Sequence, residues 1–508
     1  MRRWLCVLCC LVAGVAHADD TLPFAPADGP WPVGFRVVEQ YDTSRSYGDA
    51  GATPQGRPIQ TLTWYPAKAD GTAMVYDDYL QLAHRADHFD DAPASAVAAS
   101  NTLLREYTLL GASPRQLSQA VQTTVSARRE ATPAAQRFPV VIYAASDSSA
   151  AAENERLCEY LASHGYVVTA SPSFGARTRY MTDGRDADNL ENTEAQAADI
   201  GFLIGYAQTL SNADTAHLGL LSYSWGGVSA VFAAARDSRI HALVELEGSV
   251  RYQPALLRQT GYVTPERIAV PMLYFADRED PMAPGKDALP DSLVQRLHQA
   301  DVYEVTMHTL SHDDFASDNL RLGSMADHRG VTLAQVHEGY GWMARYTLAF
   351  LDATLKSDTA ARQFLDRSPA RNGVPPALLS ISSRHAGKPA ATPERFATAL
   401  AAHPGDDSVQ IYADFHRRGL TLGEPQLSAW ESTLMDDGNV PLALSVAKLH
   451  VALFPHDAEA WLRLGIIDEL ADLPEQAVSH YQHAIQLDAR VPLAAQRIKT
   501  LRASHASR

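Results

Sequence analysis

The stretch LGLLSYSWGGVSAVFAAA, Leu218 to Ala235, decides how the chain is read. An apolar run ends at Tyr223, Ser224 follows, and an alanine-rich helical pattern begins after two glycines. That is the layout of a nucleophile elbow, where a serine sits on a strained strand-to-helix turn with its Oγ exposed. Backbones nearly touch at such a turn, so the residues two before and two after the serine must be small. Here they are Ser222 and Gly226, where the usual pattern is G-x-S-x-G. Serine is the next smallest choice after glycine and alanine, so the geometry is expected to survive. Gly227 lets the helix start close to the strand. The bland alternative is a buried strand meeting a helix with no chemistry between them.

Working outward, short apolar runs alternate with helical patterns. PVVIYAA (139–145), YVVTAS (166–171), HLGLLSY (217–223), HALVELE (241–247), VPMLYFA (270–276) and VYEVTMHTL (302–310) read as strands, the last of these closing the sheet. Helical patterns fall at about 152–163, after Thr193 with Gln196 as a capping box, after Gly227, and over 331–355. Strands separated by helices predict an α/β fold, a doubly wound, mostly parallel sheet with helices on both faces. FRVVEQYD (35–42) and IQTLTWYPA (59–67) add two opening strands, and 76–129 reads as a helical insertion. The catalytic domain is expected over 22–366.

An acyl-transfer serine needs a base, an acid to orient the base, and donors for the oxyanion. The base should follow the last strand. His312, in SHDDFASD, stands there; His308, inside the strand pattern, reads as packing or solvent-facing. Two acids satisfy the chain order. Glu247 ends the strand after the nucleophile helix, and Asp280 follows the next one. Asp277, Glu279 and Glu245 read as solvated charges or salt-bridge members. The oxyanion hole should combine the backbone N–H of Trp225 with one from the loop ASDSSAA (145–151), for which Asp147 is the candidate.

These stretches together resemble an α/β-hydrolase, and more narrowly the platelet-activating-factor acetylhydrolase group with its dienelactone-hydrolase-like bacterial relatives. GPWPVGFRVVEQYDTSR and RPIQTLTWYPAK are similar to that family's opening strands. FPVVIYAASDSSAAAENERLCEYLASHGYVVTASPSF resembles its oxyanion loop, first helix and next strand. SYSWGG, LEGS and SHDDFASD stand for its nucleophile, acid and histidine motifs. The likeness spans roughly residues 29–356, and it implies Glu247 as the acid rather than Asp280. Where the family has Asp this chain has Glu, and Ser146, Ser148 and Ser149 replace glycines of the oxyanion loop.

The flanking regions bound the rest. MRRWLCVLCCLVAGVAHA (1–18) has the charged start, apolar run and small-x-small end of a cleaved secretory signal, which predicts a secreted or periplasmic protein. Its removal takes two arginines and three of the four cysteines, leaving Cys158 alone and a charge of −16 − 2 = −18. That acidity, without a basic patch, argues against a nucleic-acid partner. The run is too short to span a bilayer.

Residues 367–393 read as a linker or surface strap. In the helical 394–508, Trp461, Leu464, Gly465, Ala477, Tyr481 and Ala484 fall at tetratricopeptide spacings, with Ala443, Ala447 and Pro455 in a preceding unit. Such a tail can pack on the catalytic domain or offer a surface to a protein partner.

The expected function is hydrolysis of a small-molecule carboxylic ester through an acyl-enzyme on Ser224. No cofactor is needed, and no metal ligands stand at recognisable spacings. Activity should rise through a pKa near about 6.5. An amide hydrolase using the same residues, and a catalytically degenerate scaffold, are the alternatives. Arg177, Arg179 and Arg185 read as surface arginines or as contacts to an anionic substrate group.

Overall fold

Among the described residues eleven strands form one sheet in the order β11-β10-β9-β8-β7-β5-β6-β2-β1-β4-β3. In chain order they are β1 (Val33–Asp42), β2 (Arg57–Pro66), β3 (Thr72–Val75), β4 (Thr124–Arg129), β5 (Phe138–Ala144), β6 (Val167–Ser171), β7 (Ala213–Tyr223), β8 (Ile240–Leu246), β9 (Met272–Ala276), β10 (Val302–Met307) and β11 (Leu379–Arg384). The computed structural model describes residues 26–48, 56–109, 112–181, 186–278, 291–322, 330–386, 391–402, 408–417 and 420–506. The expected signal segment 1–18, the candidate acid Asp280, Glu279 and Arg185 lie outside the described residues.

β5 through β10 are mutually parallel wherever they pair, and β1, β2, β3 and β11 supply the antiparallel pairings. The central strands read as unbroken apolar runs because both faces are covered. Their side chains alternate between two cores. Val141, Tyr143, Leu221, Val244 and Phe275 pack with Leu157, Met343 and Phe350 of the helices Glu155–Ser163 and Leu333–Leu355. Val140, Ile142, Leu220, Leu243 and Met272 pack with Ile200, Leu203 and Val231 of the helices Asp186–Ala207 and Trp225–Ala234. This is the doubly wound, mostly parallel sheet that the alternation predicts.

Chain order reverses beside β5, which has β6 on one side and β7 on the other. Connections leave such a point in opposite directions and open a crevice at the carboxyl ends of the strands. Ser224 follows β7 at that point.

Three segments depart from expectation. β10 is not the last strand: Leu379–Arg384, inside the stretch read as a linker, pairs antiparallel with β10, Val302 opposite Arg384 and Met307 opposite Leu379. Its alternation, LSISSR, is short and polar on one side, which suits an edge strand. The insertion has the helices Tyr76–His84, Pro93–Leu109 and Pro114–Gln122 but ends in β4, which joins the sheet between β1 and β3. Thr193 and Gln196 do not begin a helix; they lie within Asp186–Ala207.

The chain divides into two compact units, Met1–Gly387 and Lys388–Arg508. The second is helical: Pro393–Ala402, Ser408–Arg417, Glu424–Asp436, Val440–Leu453, Ala458–Leu470, Pro474–Leu487 and Pro492–Ala506. The pair Ala458–Leu470 and Pro474–Leu487 begins 34 residues after the pair before it (458 − 424 and 474 − 440). Gly465 faces the Tyr481 ring so closely that a Cβ there would stand 2.5 Å from it. No helix among the described residues is long and apolar enough to cross a membrane.

Candidate active site

Ser224 joins β7 to the helix Trp225–Ala234 with φ 53° and ψ −122°. A non-glycine residue held there is strained, and such strain persists only where its surroundings over-determine it. Those surroundings are backbone. The Ser224 N–H donates to the Leu246 carbonyl at 3.2 Å, and the Ser224 carbonyl accepts from Gly227 at 3.0 Å and Ser249 at 2.8 Å. A Cβ on Gly226 would stand 2.2 Å from the Ala144 carbonyl oxygen, so only glycine lets the helix pass the end of β5. Ser222 is fully buried, and its hydroxyl donates to the Val244 carbonyl on β8 at 3.1 Å. A serine fits the first small position because its one polar atom finds a partner in the neighbouring strand.

The structure brings Ser224, His312 and Glu247 into one hydrogen-bonded chain. Ser224 Oγ is 3.0 Å from His312 Nε2, and His312 Nδ1 meets Glu247 Oε2. Glu247 follows β8, is 3% exposed, and itself takes a positive φ of 46°. Its other oxygen accepts from the Tyr252 hydroxyl at 2.8 Å, and its N–H donates to the Phe275 carbonyl at 2.9 Å. The longer glutamate therefore reaches the imidazole from a turn pinned at both ends. His312 opens a short 3₁₀ turn after β10, started by Ser311 and Asp314 as a capping box. Tyr223, one residue before the serine, donates to the His312 carbonyl at 3.0 Å, and its ring lies 5.3 Å from the imidazole. Partial burial lowers the imidazole pKa, but the Glu247 hydrogen bond and the charges of Glu247, Asp313 and Asp277 outweigh it, so the ring is held above the ordinary 6.5.

The loop after β5 turns without glycine. Ser148 takes the left-handed conformation, φ 56°, in a place where the resemblance expects glycine. Glu153 anchors the loop: its carboxylate accepts the Ser146 N–H at 2.7 Å, the Ser146 hydroxyl at 2.7 Å and the Tyr143 hydroxyl at 2.8 Å. The Ser146 N–H is thereby taken, and Asp147, the candidate donor residue, follows it in the loop. Trp225 opens its helix, so its N–H has no partner within that helix.

Four residues that matter here carried no sequence signal, or the wrong one. Thr193 accepts from the Trp225 indole at 3.0 Å, and Gln196 donates to the Ala145 carbonyl at 2.8 Å while accepting from Ser229 at 2.5 Å. The capping-box pattern is in fact the helix face that braces the elbow against the loop after β5. Glu153 lies in an alanine-rich stretch and is not singled out by the sequence, yet it is 4% exposed. Glu245, expected to be a solvated charge or a salt-bridge member, is fully buried under the elbow. Its Oε2 stands 2.0 Å from where a Cβ on Gly227 would be and 2.1 Å from one on Gly248. The polar side chain beside it is Ser222, whose own hydrogen bond goes to Val244. Burial pushes this carboxyl up to about 8.

The other candidates are placed elsewhere. His308 lies just past β10 and is exposed. Arg177 pairs with Glu191 at 3.1 Å and Arg179 with Asp87 at 2.6 Å, so both have structural partners. Cys158 is buried, with its thiol pushed well above the ordinary range by burial.

With this geometry in hand, similarity to known proteins gives it a lineage. Residues 127–321 match the dienelactone hydrolase family. Among solved structures, a ferulic acid esterase from Streptomyces cinnamoneus is similar with a TM-score of 0.50 at 19% identity, over 71% of this chain and 98% of that one. No curated protein matches the chain. Ser224, Glu247 and His312 all lie within the segment that matches the dienelactone hydrolase family, on an α/β-hydrolase-like fold.

Proposed function

We propose that the protein is a serine hydrolase that cleaves carboxylic esters through an acyl-enzyme on Ser224. The observation that carries this reading is the serine at positive φ with its Oγ 3.0 Å from His312 Nε2. A strained serine aimed at an oriented imidazole is what nucleophilic acyl transfer needs. In the first half-reaction, Ser224 Oγ attacks the acyl carbon as His312 Nε2 takes its proton. The Trp225 and Asp147 N–H groups stabilise the oxyanion. The tetrahedral adduct then collapses, and His312 returns the proton to the departing alcohol. Water attacks the acyl-serine in the same way, its proton passing to His312 and then to Ser224. Glu247, not Asp280, is the acid in this scheme, on its contact with His312 Nδ1. It fixes the tautomer that leaves Nε2 free to accept, and it balances the imidazolium charge.

The same contacts favour an enzyme over a degenerate scaffold. The family match supports hydrolysis, and the esterase likeness, at its identity, supports the fold and leaves the acyl group open. Residues 1–18 are, in our reading, a secretory leader, and the 34-residue offset of the C-terminal helix pairs supports a tetratricopeptide-like tail.

The test is a fluorophosphonate probe followed by mass spectrometry of the labelled peptide. Labelling at Ser224 that disappears in His312→Ala is expected, together with turnover of short-chain esters. A folded protein that takes no label would refute the reading.

A further inference from the structure

We infer that Glu424, His450 and Asp457, in the C-terminal unit, form a site for a divalent transition cation, zinc foremost. One ligand atom from each of the three lies within 4.8 Å of the others. They come from three helices: Glu424 is the first residue of Glu424–Asp436, His450 lies in the last turn of Val440–Leu453, and Asp457 caps Ala458–Leu470.

The imidazole is built as a metal ligand. His450 is fully buried, and its Nδ1 faces Glu431 Oε1 at 2.8 Å, itself fully buried. A carboxylate on Nδ1 fixes that nitrogen as the N–H donor and turns the Nε2 lone pair toward the opposite side, the arrangement that orients and strengthens metal-binding histidines. On that side stand Asp457 Oδ2, 3.9 Å from Nε2, and Glu424. At 3.9 Å the Asp457 contact is too long for a hydrogen bond, and Nε2 has no hydrogen-bond partner. A buried ring nitrogen left so is costly unless something else binds it.

The half-buried carboxylates have room to close. Glu424 Oε1 accepts from Ser428 at 3.0 Å, and Asp457 Oδ1 caps its helix through the Glu459 N–H at 2.9 Å, leaving one oxygen of each for an ion. Bonds of about 2.0–2.2 Å set tetrahedral ligands roughly 3.3–3.6 Å apart. Small rotations of the two carboxylates close that gap, while the imidazole stays where Glu431 holds it. One nitrogen and two carboxylates, with water in the fourth position, suit zinc better than calcium, which prefers oxygen alone.

The chain supplies its own comparison. Thirty-four residues further on, the places of Glu424, Glu431, His450 and Asp457 are taken by Ala458, Gly465, Ala484 and Val491. The next helix pair has the same lengths without any of the four polar side chains. The quartet is therefore not a requirement of the helix-pair architecture. An ion here would tie Glu424–Asp436 and Val440–Leu453 to the helix that follows.

The test uses the full chain, stripped with a chelator and titrated with Zn²⁺ by calorimetry and with Co²⁺ by visible absorption. Glu424→Gln and Asp457→Asn are the variants, since both are partly exposed and Asn keeps the helix cap. One site per chain is expected, with affinity at least tenfold weaker in each variant and a zinc-dependent rise in the melting temperature that each variant loses. A long-range ¹H–¹⁵N spectrum should show the His450 Nε2 resonance move on zinc addition. Zinc binding that neither variant weakens would assign the ion to other histidines and overturn the proposal. So would a folded chain that binds no zinc.

Discussion

Glu245→Gln should stabilise the first unit, by an amount that grows with pH. In the folded chain the carboxyl is held protonated up to about 8, against an ordinary 4.5, because it is buried between Gly227 and Gly248. Between those two values unfolding releases a proton, so stability falls as pH rises. Each pH unit costs about 1.4 kcal/mol. The cost is absent near pH 4.5, reaches about 3 kcal/mol at pH 7, and levels off at about 5 kcal/mol above pH 8. Glutamine has nearly the same shape and no proton to lose, so its stability carries none of this slope.

Hydrogen exchange of peptides from β7 and β8, in the full chain at several pH values, reads this unit alone. The wild-type and Gln curves should meet near pH 5 and diverge by several kcal/mol at pH 8. Parallel curves would refute the reasoning, since they would mean that Glu245 carries its charge in the folded state as easily as in the unfolded one.

Three further expectations concern the site itself. Gly226→Ala puts a Cβ 2.2 Å from a backbone oxygen that cannot swing away, so the elbow must open; esterase activity should fall at least about a hundredfold, a shift of Ser224 of the order of 1 Å being enough, and fluorophosphonate labelling should slow with it. The pH–rate profile should rise through a midpoint above the ordinary 6.5 of histidine, higher than sequence alone suggests, because Glu247 raises His312. Glu247→Gln should lower kcat by about 10²–10⁴ and move that midpoint down; a variant whose midpoint stays in place would show that another acid holds the imidazole.

Much of this was legible in the sequence because it rests on local rules. Apolar runs of strand length, separated by helical patterns, dictate a parallel sheet covered on both faces, and β5 to β10 lie where those runs do. Small residues around Ser224 announce a tight strand-to-helix turn, and the turn forms. His312 could be chosen by its position after β10. Where local pattern and tertiary demand diverge, the sequence was silent or misleading. Ser-rich composition hid that Ser148 can adopt the left-handed turn once Glu153 pins its neighbour. Thr193 and Gln196 read as a cap since their spacing is that of a cap, but packing against the elbow uses them on a helix already begun. LSISSR looked like a tether because an edge strand needs few apolar residues.

The choice of Glu247 illustrates the division well. Chain order admitted two acids, and only the folding of β8 beside the histidine loop put one carboxylate on His312 Nδ1. The same holds for Glu245 and for Glu424, His450 and Asp457: each lies among ordinary-looking neighbours, and nothing in their spacing marks them. Hydrophobic period and turn size are properties of contiguous residues, so the sequence determined the strands, the helices and the tight turn at Ser224. Burial and the meeting of distant side chains are properties of the packed chain, so only the tertiary structure brought Glu247 to His312, buried Glu245 beneath the elbow and gathered the cluster around His450.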